Sequence, residues 1–284
     1  MLRTILLLLS VQSALAADLT LPLAPKSVRF AVIGDNGTGE RPQYEVARQM
    51  ADYREKVGFA FVLMLGDNIY GGHSPADFKR KFEVPYKPLL DAGVKFYASL
   101  GNHDSPNERF YKPFNMDGKR YYSFKNGNAE FFALDSNYMD PGQIAWVKDS
   151  LTNSDAAWKI CYFHHPLYSD GKFHGPDLDL RTLLVPIFTA SGVRVVLSGH
   201  EHLYERFKPI DGIYYFILGN AGELRPHNLR PSAQMAKGFD TGHGFMLMEI
   251  AGDQLYFQTI SGAGQTVDSG VIGKGSESAA AAAQ

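Results

Sequence analysis

The sequence predicts an α/β fold of the α+β kind, a four-layer αββα sandwich in which two mixed β-sheets pack face to face with helices outside. Three observations predict it. Short apolar runs rich in β-branched and aromatic residues alternate with helix-like segments early in the chain. Later runs follow one another through turn residues, which adds antiparallel strands to parallel ones. Many of the runs stop abruptly at a glycine followed by a polar residue, which puts chemistry at strand ends.

Taken in order, residues 27–33 precede Gly-Asp-Asn-Gly, residues 59–65 precede Gly-Asp-Asn-Ile-Tyr, and residues 94–100 precede Gly-Asn-His-Asp; all three read as buried strands. Between the first two, residues 41–56 carry Tyr44, Ala47, Met50 and Ala51 at helical spacing, and residues 75–92 are partly helical. Strand and helix in alternation favour parallel pairing through right-handed crossovers. Residues 121–124 and 130–134 flank Asn126-Gly127, a hairpin turn signal. A helix over 141–151 leads to a strand over 159–163, then a long polar loop, a helix over 178–190 and a strand over 193–197. Strands over 212–218, 244–250 and 254–260 close the pattern, and no internal repeat is visible.

Residues 1–17 combine Arg3, an apolar run and small residues at Ala14, Ala16 and Ala17, as a cleavable export signal does. The run falls well short of the roughly 20 residues that span a bilayer, and no twin arginine precedes it, so the expectation is a protein secreted or periplasmic by the general route. One large domain is expected over 27–262, followed by a flexible C-terminal tail over 263–284 that ends in an alanine run. The net charge of -2, with both signs mixed, gives no footprint for nucleic acid and none for stable membrane association. A small soluble substrate fits better; oligomeric state is left open. Cys161 is the single cysteine, so no internal disulfide staples the fold.

Five strand ends carry potential metal ligands: Asp35; Asp67 with Tyr70; Asn102 with His103; His164 with His165; His200 with His202. Ligand sites in sheets with parallel strands form outside the carboxyl ends of those strands. Each motif alone has an ordinary reading: Asp35-Asn36-Gly37 as a turn, Asn102 as a helix cap, His164 as a core histidine. Together those readings require five coincidences in one register. Carboxylate, imidazole and a neutral amide suit transition-metal ions, and a carboxylate can bridge two of them, as hydrolysis at a two-metal centre requires.

These five motifs, at 34–37, 66–70, 101–104, 163–169 and 199–206, resemble the ordered motifs of calcineurin-like metallophosphoesterases. Tyr70, three residues after Asp67, makes the chain similar to the small, single-domain purple acid phosphatases, over about residues 27–260. The resemblance implies a metallophosphoesterase catalytic domain over 27–262 with two metal ions. It implies that Asp35, Asp67, Tyr70 and His202 bind Fe(III), that Asp67, Asn102, His164 and His200 bind a divalent Fe, Zn or Mn, and that Asp67 bridges. His103 and His174 correspond to the two histidines beside the substrate in that family, and His165 falls outside the ligand set. The implied function is a secreted acid phosphatase in which metal-bound hydroxide attacks a phosphate monoester directly.

Two rivals stay open: a phosphodiesterase of the same superfamily, whose members commonly lack the tyrosine, and a binding module that keeps the fold without catalysis. His73 and His227 are expected to be exposed loop residues and His243 to support the site, while residues 223–241, with Arg225 and Arg230, match no motif.

Overall fold

The computed structural model describes residues 18–274, so the expected export signal lies outside the described residues. The chain runs through β1 (Val28–Ile33), α1 (Arg41–Val57), β2 (Phe61–Met64), α2 (Pro75–Phe78), α3 (Lys87–Asp91) and β3 (Lys95–Ala98). It continues through β4 (Tyr122–Asn126), β5 (Ala129–Ala133), α4 (Pro141–Asn153), β6 (Trp158–Tyr162), α5 (Leu178–Ala190), β7 (Val195–Ser198) and β8 (Tyr204–Phe207). The last strands are β9 (Tyr214–Leu218), β10 (Met235–Phe239), β11 (Gly244–Ala251), β12 (Gln254–Ser261) and β13 (Thr266–Gly273).

One sheet has the order β13-β12-β11-β1-β2-β3, the other β10-β8-β9-β7-β6-β5-β4. Both are mixed: β1, β2 and β3 run parallel while β1 pairs antiparallel with β11, and β5, β6, β7 and β9 run parallel between antiparallel edges. Successive side chains of a strand point to opposite faces, and β5 shows the result. Phe131 turns inward, its ring centroid 5.1 Å from Phe30 and 5.2 Å from Phe61 of the facing sheet. Its neighbour Phe132 turns outward, into a cluster with Leu151 of α4 and Leu184 and Phe188 of α5. On the other outer face Tyr53 of α1 meets Phe245 of β11, with ring centroids 5.9 Å apart. The helix, sheet, sheet, helix layering follows from these two alternations. Cys161 is buried on the α5 side of the second sheet.

Local signals set the elements. Gly58, at φ 68°, caps α1 by donating its N–H to Arg54 O. Gly127, at φ 58°, turns the β4–β5 hairpin, where Asn126 pairs with Ala129. The stretch 75–92 is partly helical, as expected, and is divided into α2, a π-helical turn over Lys79–Glu83 and α3. Two expectations are corrected. β8 and β10 were not expected. The tail expected from residue 263 is a strand over most of its described part: β13 pairs with β12, buries Ile272 fully, and accepts at Asp268 Oδ2 from Tyr204 Oη at 2.7 Å and Arg206 Nε at 2.7 Å. Among the described residues no helix is long and apolar enough to cross a membrane.

Candidate metal centre

Both sheets deliver residues to one edge of the sandwich. Asp35 follows β1, Asp67 and Tyr70 follow β2, and Asn102 follows β3; His164 follows β6, and His200 and His202 follow β7. Asp35, Asp67 and His200 themselves take left-handed backbone conformations, with φ of 53°, 52° and 70°. Such strain in non-glycine residues collects where side chains must be aimed. The neighbouring glycines are needed largely for space: a Cβ on Gly101 would lie 2.2 Å from Asp67 N, and one on Gly199 would lie 2.4 Å from Asp35 Oδ2.

Two groups of donors result. In the first, Tyr70 Oη lies 3.2 Å from Asp35 Oδ1 and 3.3 Å from His202 Nε2, and His202 Nε2 lies 3.4 Å from Asp35 Oδ1. Asp67 joins Asp35 and His202 with ligand atoms within 4.8 Å of one another. In the second, His164 Nε2 lies 2.9 Å from Asn102 Oδ1, 3.1 Å from His200 Nδ1 and 3.5 Å from Asp67 Oδ2. His165, expected outside the set, offers a nitrogen within 4.8 Å of those of His164 and His200, while its Nδ1 sits 2.9 Å from Ser136 Oγ.

The donor set fits cations on three counts. His164 Nδ1 lies 2.9 Å from Leu65 O; a carbonyl only accepts, so the ring's proton is on Nδ1 and the lone pair of Nε2 faces Asn102 and Asp67, the tautomer a metal-binding imidazole adopts. Asp35 and Asp67 are almost wholly buried, and burial, reinforced at Asp35 by the Asp67 charge, pushes both carboxyls above their ordinary range. A cation among them would reverse that penalty. Burial pushes the His164 and His200 imidazoles down, which keeps those rings neutral and able to donate lone pairs, and it pushes the Tyr70 phenol up, a cost that a cation would offset as it would for the carboxyls.

His103 and His174 stand exposed at the mouth, with ring centroids 4.8 Å from Tyr70 and 4.0 Å from His200 respectively. Arg225 reaches the same place from the unassigned segment. Its N–H donates to His202 O at 3.0 Å, its guanidinium stacks 3.4 Å from the Phe173 ring centroid, and Nη1 lies 3.2 Å from His174 Nε2.

Sequence reasoning missed several supporting residues. Glu201, buried between the two histidines of its motif, accepts at Oε1 from His174 N at 2.8 Å and Gly175 N at 2.6 Å, and at Oε2 from Asn228 Nδ2 at 2.6 Å. Asp104 ties the second and third motifs together by accepting from Ile69 N at 3.0 Å and Gly101 N at 2.8 Å; burial pushes its carboxyl up to about 8. His73, expected to be an exposed loop residue, is half-buried, accepts from Ser105 N at 3.1 Å and lies 3.0 Å from Glu108 Oε1. His227 is exposed, and Arg230 is exposed away from these contacts. His243 is half-buried and its carbonyl accepts from Gly262 N.

A family model described as calcineurin-like phosphoesterase matches residues 28–204. The chain belongs to the calcineurin-like phosphoesterase family. Within that family it is similar to purple acid phosphatase 17 of Arabidopsis thaliana, at 28% identity over 262 residues that cover 78% of this chain and 77% of the relative. Among solved structures it resembles GAP50, the anchor in the inner membrane complex of Plasmodium, with a TM-score of 0.75 at 18% identity, covering 87% of this chain and 89% of that one. It also resembles purple acid phosphatase PPD1 from yellow lupin (Lupinus luteus), with a TM-score of 0.70 at 20% identity, covering 89% of this chain and 55% of the lupin chain. These structural likenesses show the calcineurin-like phosphoesterase fold; the purple acid phosphatase relatives connect it to phosphatase chemistry.

Proposed function

We propose that the chain is an exported acid phosphatase that hydrolyses phosphate monoesters at a dinuclear metal centre, with 27–262 as its catalytic domain and β13 as an edge strand appended to it. The observation that carries the reading is the placement of the Tyr70 phenol against Asp35 and His202, beside a second group built from Asn102, His164 and His200. Asp35, Asp67, Tyr70 and His202 would hold Fe(III), and Asp67, Asn102, His164 and His200 a divalent Fe, Zn or Mn. When bound, such a pair neutralises charge on the phosphoryl group and lowers the pKa of the attacking water. Export rests on the charged, apolar and small-residue pattern of residues 1–17.

The remaining chemistry belongs to the mouth. Because a guanidinium only donates, the contact of Arg225 Nη1 with His174 Nε2 leaves the neutral ring's proton on Nδ1, where it can donate a hydrogen bond to a phosphoryl or leaving-group oxygen. Partial burial and then the Arg225 charge lower the His174 pKa. Arg225, stacked on Phe173, keeps further donors for phosphoryl oxygens. Backbone N–H groups of His103 and His200 donate to Asp67 Oδ1 and Asp35 Oδ2 at 2.9 and 2.8 Å, fixing the carboxylates before any ligand arrives.

The test is release of nitrophenol from a nitrophenyl phosphate monoester and its diester across acid to alkaline pH, with Asp67→Ala as control. Fast monoester cleavage at acid pH, lost in the control, supports the reading. Preference for the diester favours a phosphodiesterase, and silence on both favours a binding module, a use the fold shared with GAP50 leaves open.

A further inference from the structure

A cavity of about 860 Å³ opens beside the centre, lined among others by Asn102, His165, Arg120, Asp135, Tyr138 and Asp177. We propose that it receives the leaving group of the substrate, and that it selects esters of uncharged alcohols with a flat face over substrates that carry further phosphates. The proposal rests on the phosphatase reading and deepens it.

Position is the first argument. Asn102 belongs to both the cavity wall and the second donor group, and the His165 ring on that wall lies 4.4 Å from the His200 ring. The Phe173, His174 and Arg225 assembly also approaches the centre, with the His174 ring 4.0 Å from that of His200, but contributes no residue to the cavity wall. A phosphoryl group at the centre therefore has room for its substituent on the Asn102 side.

Charge is the second. Arg120 is the one Arg or Lys among the lining residues, and both of its terminal nitrogens already donate to carboxylates. Its Nη1 donates to Asp135 Oδ2 at 2.7 Å and its Nη2 to Asp140 Oδ2 at 2.6 Å. Asp177 adds a carboxylate whose Oδ1 accepts from Leu180 N at the start of α5. An additional phosphate entering here meets carboxylates and no free cation.

Shape is the third. Tyr138 is 65% exposed, with the Arg120 guanidinium 5.2 Å from its ring centroid. Its backbone is held, since Tyr138 O accepts from Gln143 Nε2 at 3.0 Å and Arg120 Nη1 at 3.3 Å. A ring presented on a fixed backbone stacks against a flat group at little entropic cost.

The test uses the full metal-loaded chain. Calorimetry measures binding of phenylphosphonate and methylphosphonate, which are not hydrolysed, and kinetics compares phenyl phosphate with ATP. The expected result is tighter binding of phenylphosphonate and a higher kcat/KM for phenyl phosphate than for ATP. Tyr138→Ala narrows the phenyl-to-methyl ratio by roughly two- to tenfold, while Tyr138→Phe preserves it. Asp177→Asn, which keeps a helix-capping side chain, raises kcat/KM for ATP relative to phenyl phosphate. A ratio unchanged in Tyr138→Ala, or ATP preferred by the unaltered protein, overturns the pocket assignment. If neither phosphonate binds and no monoester is cleaved, the phosphatase reading falls and takes this one with it.

Discussion

The phenol oxygen of Tyr70 stands 3.2 Å from Oδ1 of Asp35, two side chains from the ends of different parallel strands. Two groups that are both costly to ionise in a buried site face one another across the proposed Fe(III) site, and a trivalent cation bound by both would relieve both costs. Protein loaded with iron is therefore expected to be violet from phenolate-to-ferric charge transfer, and Tyr70→Phe to lose the visible band while keeping its circular dichroism. A colourless, fully active, iron-free preparation would sink this assignment.

Asp67 gives a prediction of opposite signs. Burial pushes its carboxyl up, and its charge in turn raises Asp35. Asp67→Asn should raise the thermal midpoint of the metal-free protein, because an unfavourable buried charge is removed. The same variant should lose at least roughly 100-fold in metal affinity and most activity. Calorimetric scans with and without metal, together with metal analysis, check both signs.

Glu201 directs its side-chain hydrogen bonds not to the proposed metal ligands but to the backbone of His174 and Gly175 and the amide of Asn228. Glu201→Ala leaves three buried or half-buried donors unmatched and should cost about 1–3 kcal/mol of stability. Since the loop that carries His174 is released, kcat for a poor leaving group should fall more than kcat for nitrophenyl phosphate, which needs less proton donation. An equal fall for both substrates would reduce Glu201 to a purely structural residue.

Arg225 is expected to act on binding. Arg225→Ala should raise KM for monoesters and weaken inhibition by inorganic phosphate by about tenfold or more, the value of a hydrogen bond to a charged group. Arg225→Lys should recover only part of this, because a lysine neither stacks on Phe173 nor forks to two oxygens. Unchanged phosphate inhibition in Arg225→Ala would remove the arginine from the binding site.

Burial pushes the Glu205 carboxyl up to about 8, opposed by its hydrogen bonds from Asp170 N. The folded chain holds a proton that the unfolded chain, with a glutamate near 4.3, releases. Stability from this group is therefore complete at low pH and is lost as pH rises through about 8. The thermal midpoint of the metal-free protein should fall as pH rises from about 5 to 8 and level off above that, with a shallower fall in Glu205→Gln. Identical slopes in the two proteins would contradict this.

Much of the site was legible because each motif is local. A strand that ends in glycine and a polar ligand announces itself within four residues, as at Gly66-Asp67 and Gly199-His200. What escaped detection is held by partners far apart in the chain. β8 reads as charged and therefore loop-like through Glu205 and Arg206, yet Arg206 is neutralised by Asp268, 62 positions later, on a strand whose own sequence resembled a tail. Glu201 lies between two readable histidines and spends its charge on a loop 27 positions earlier. The left-handed conformations of Asp35, Asp67 and His200 left no signal either, since the neighbouring glycines drew attention to themselves.

One feature of the architecture reaches beyond catalysis. Asp35, Asp67, Tyr70 and Asn102 hang from one sheet, His164, His200 and His202 from the other, so neither sheet owns a complete set of the proposed ligands. An ion bound here is a rivet through the seam of the sandwich. On the proposed ligand set, tight metal capture should follow docking of the two sheets, and chelation should loosen their mutual packing before either sheet melts. Amide hydrogen exchange in the inter-sheet core, around Phe30 and Phe131, would then report metal occupancy from the far side of the contact that the ion secures.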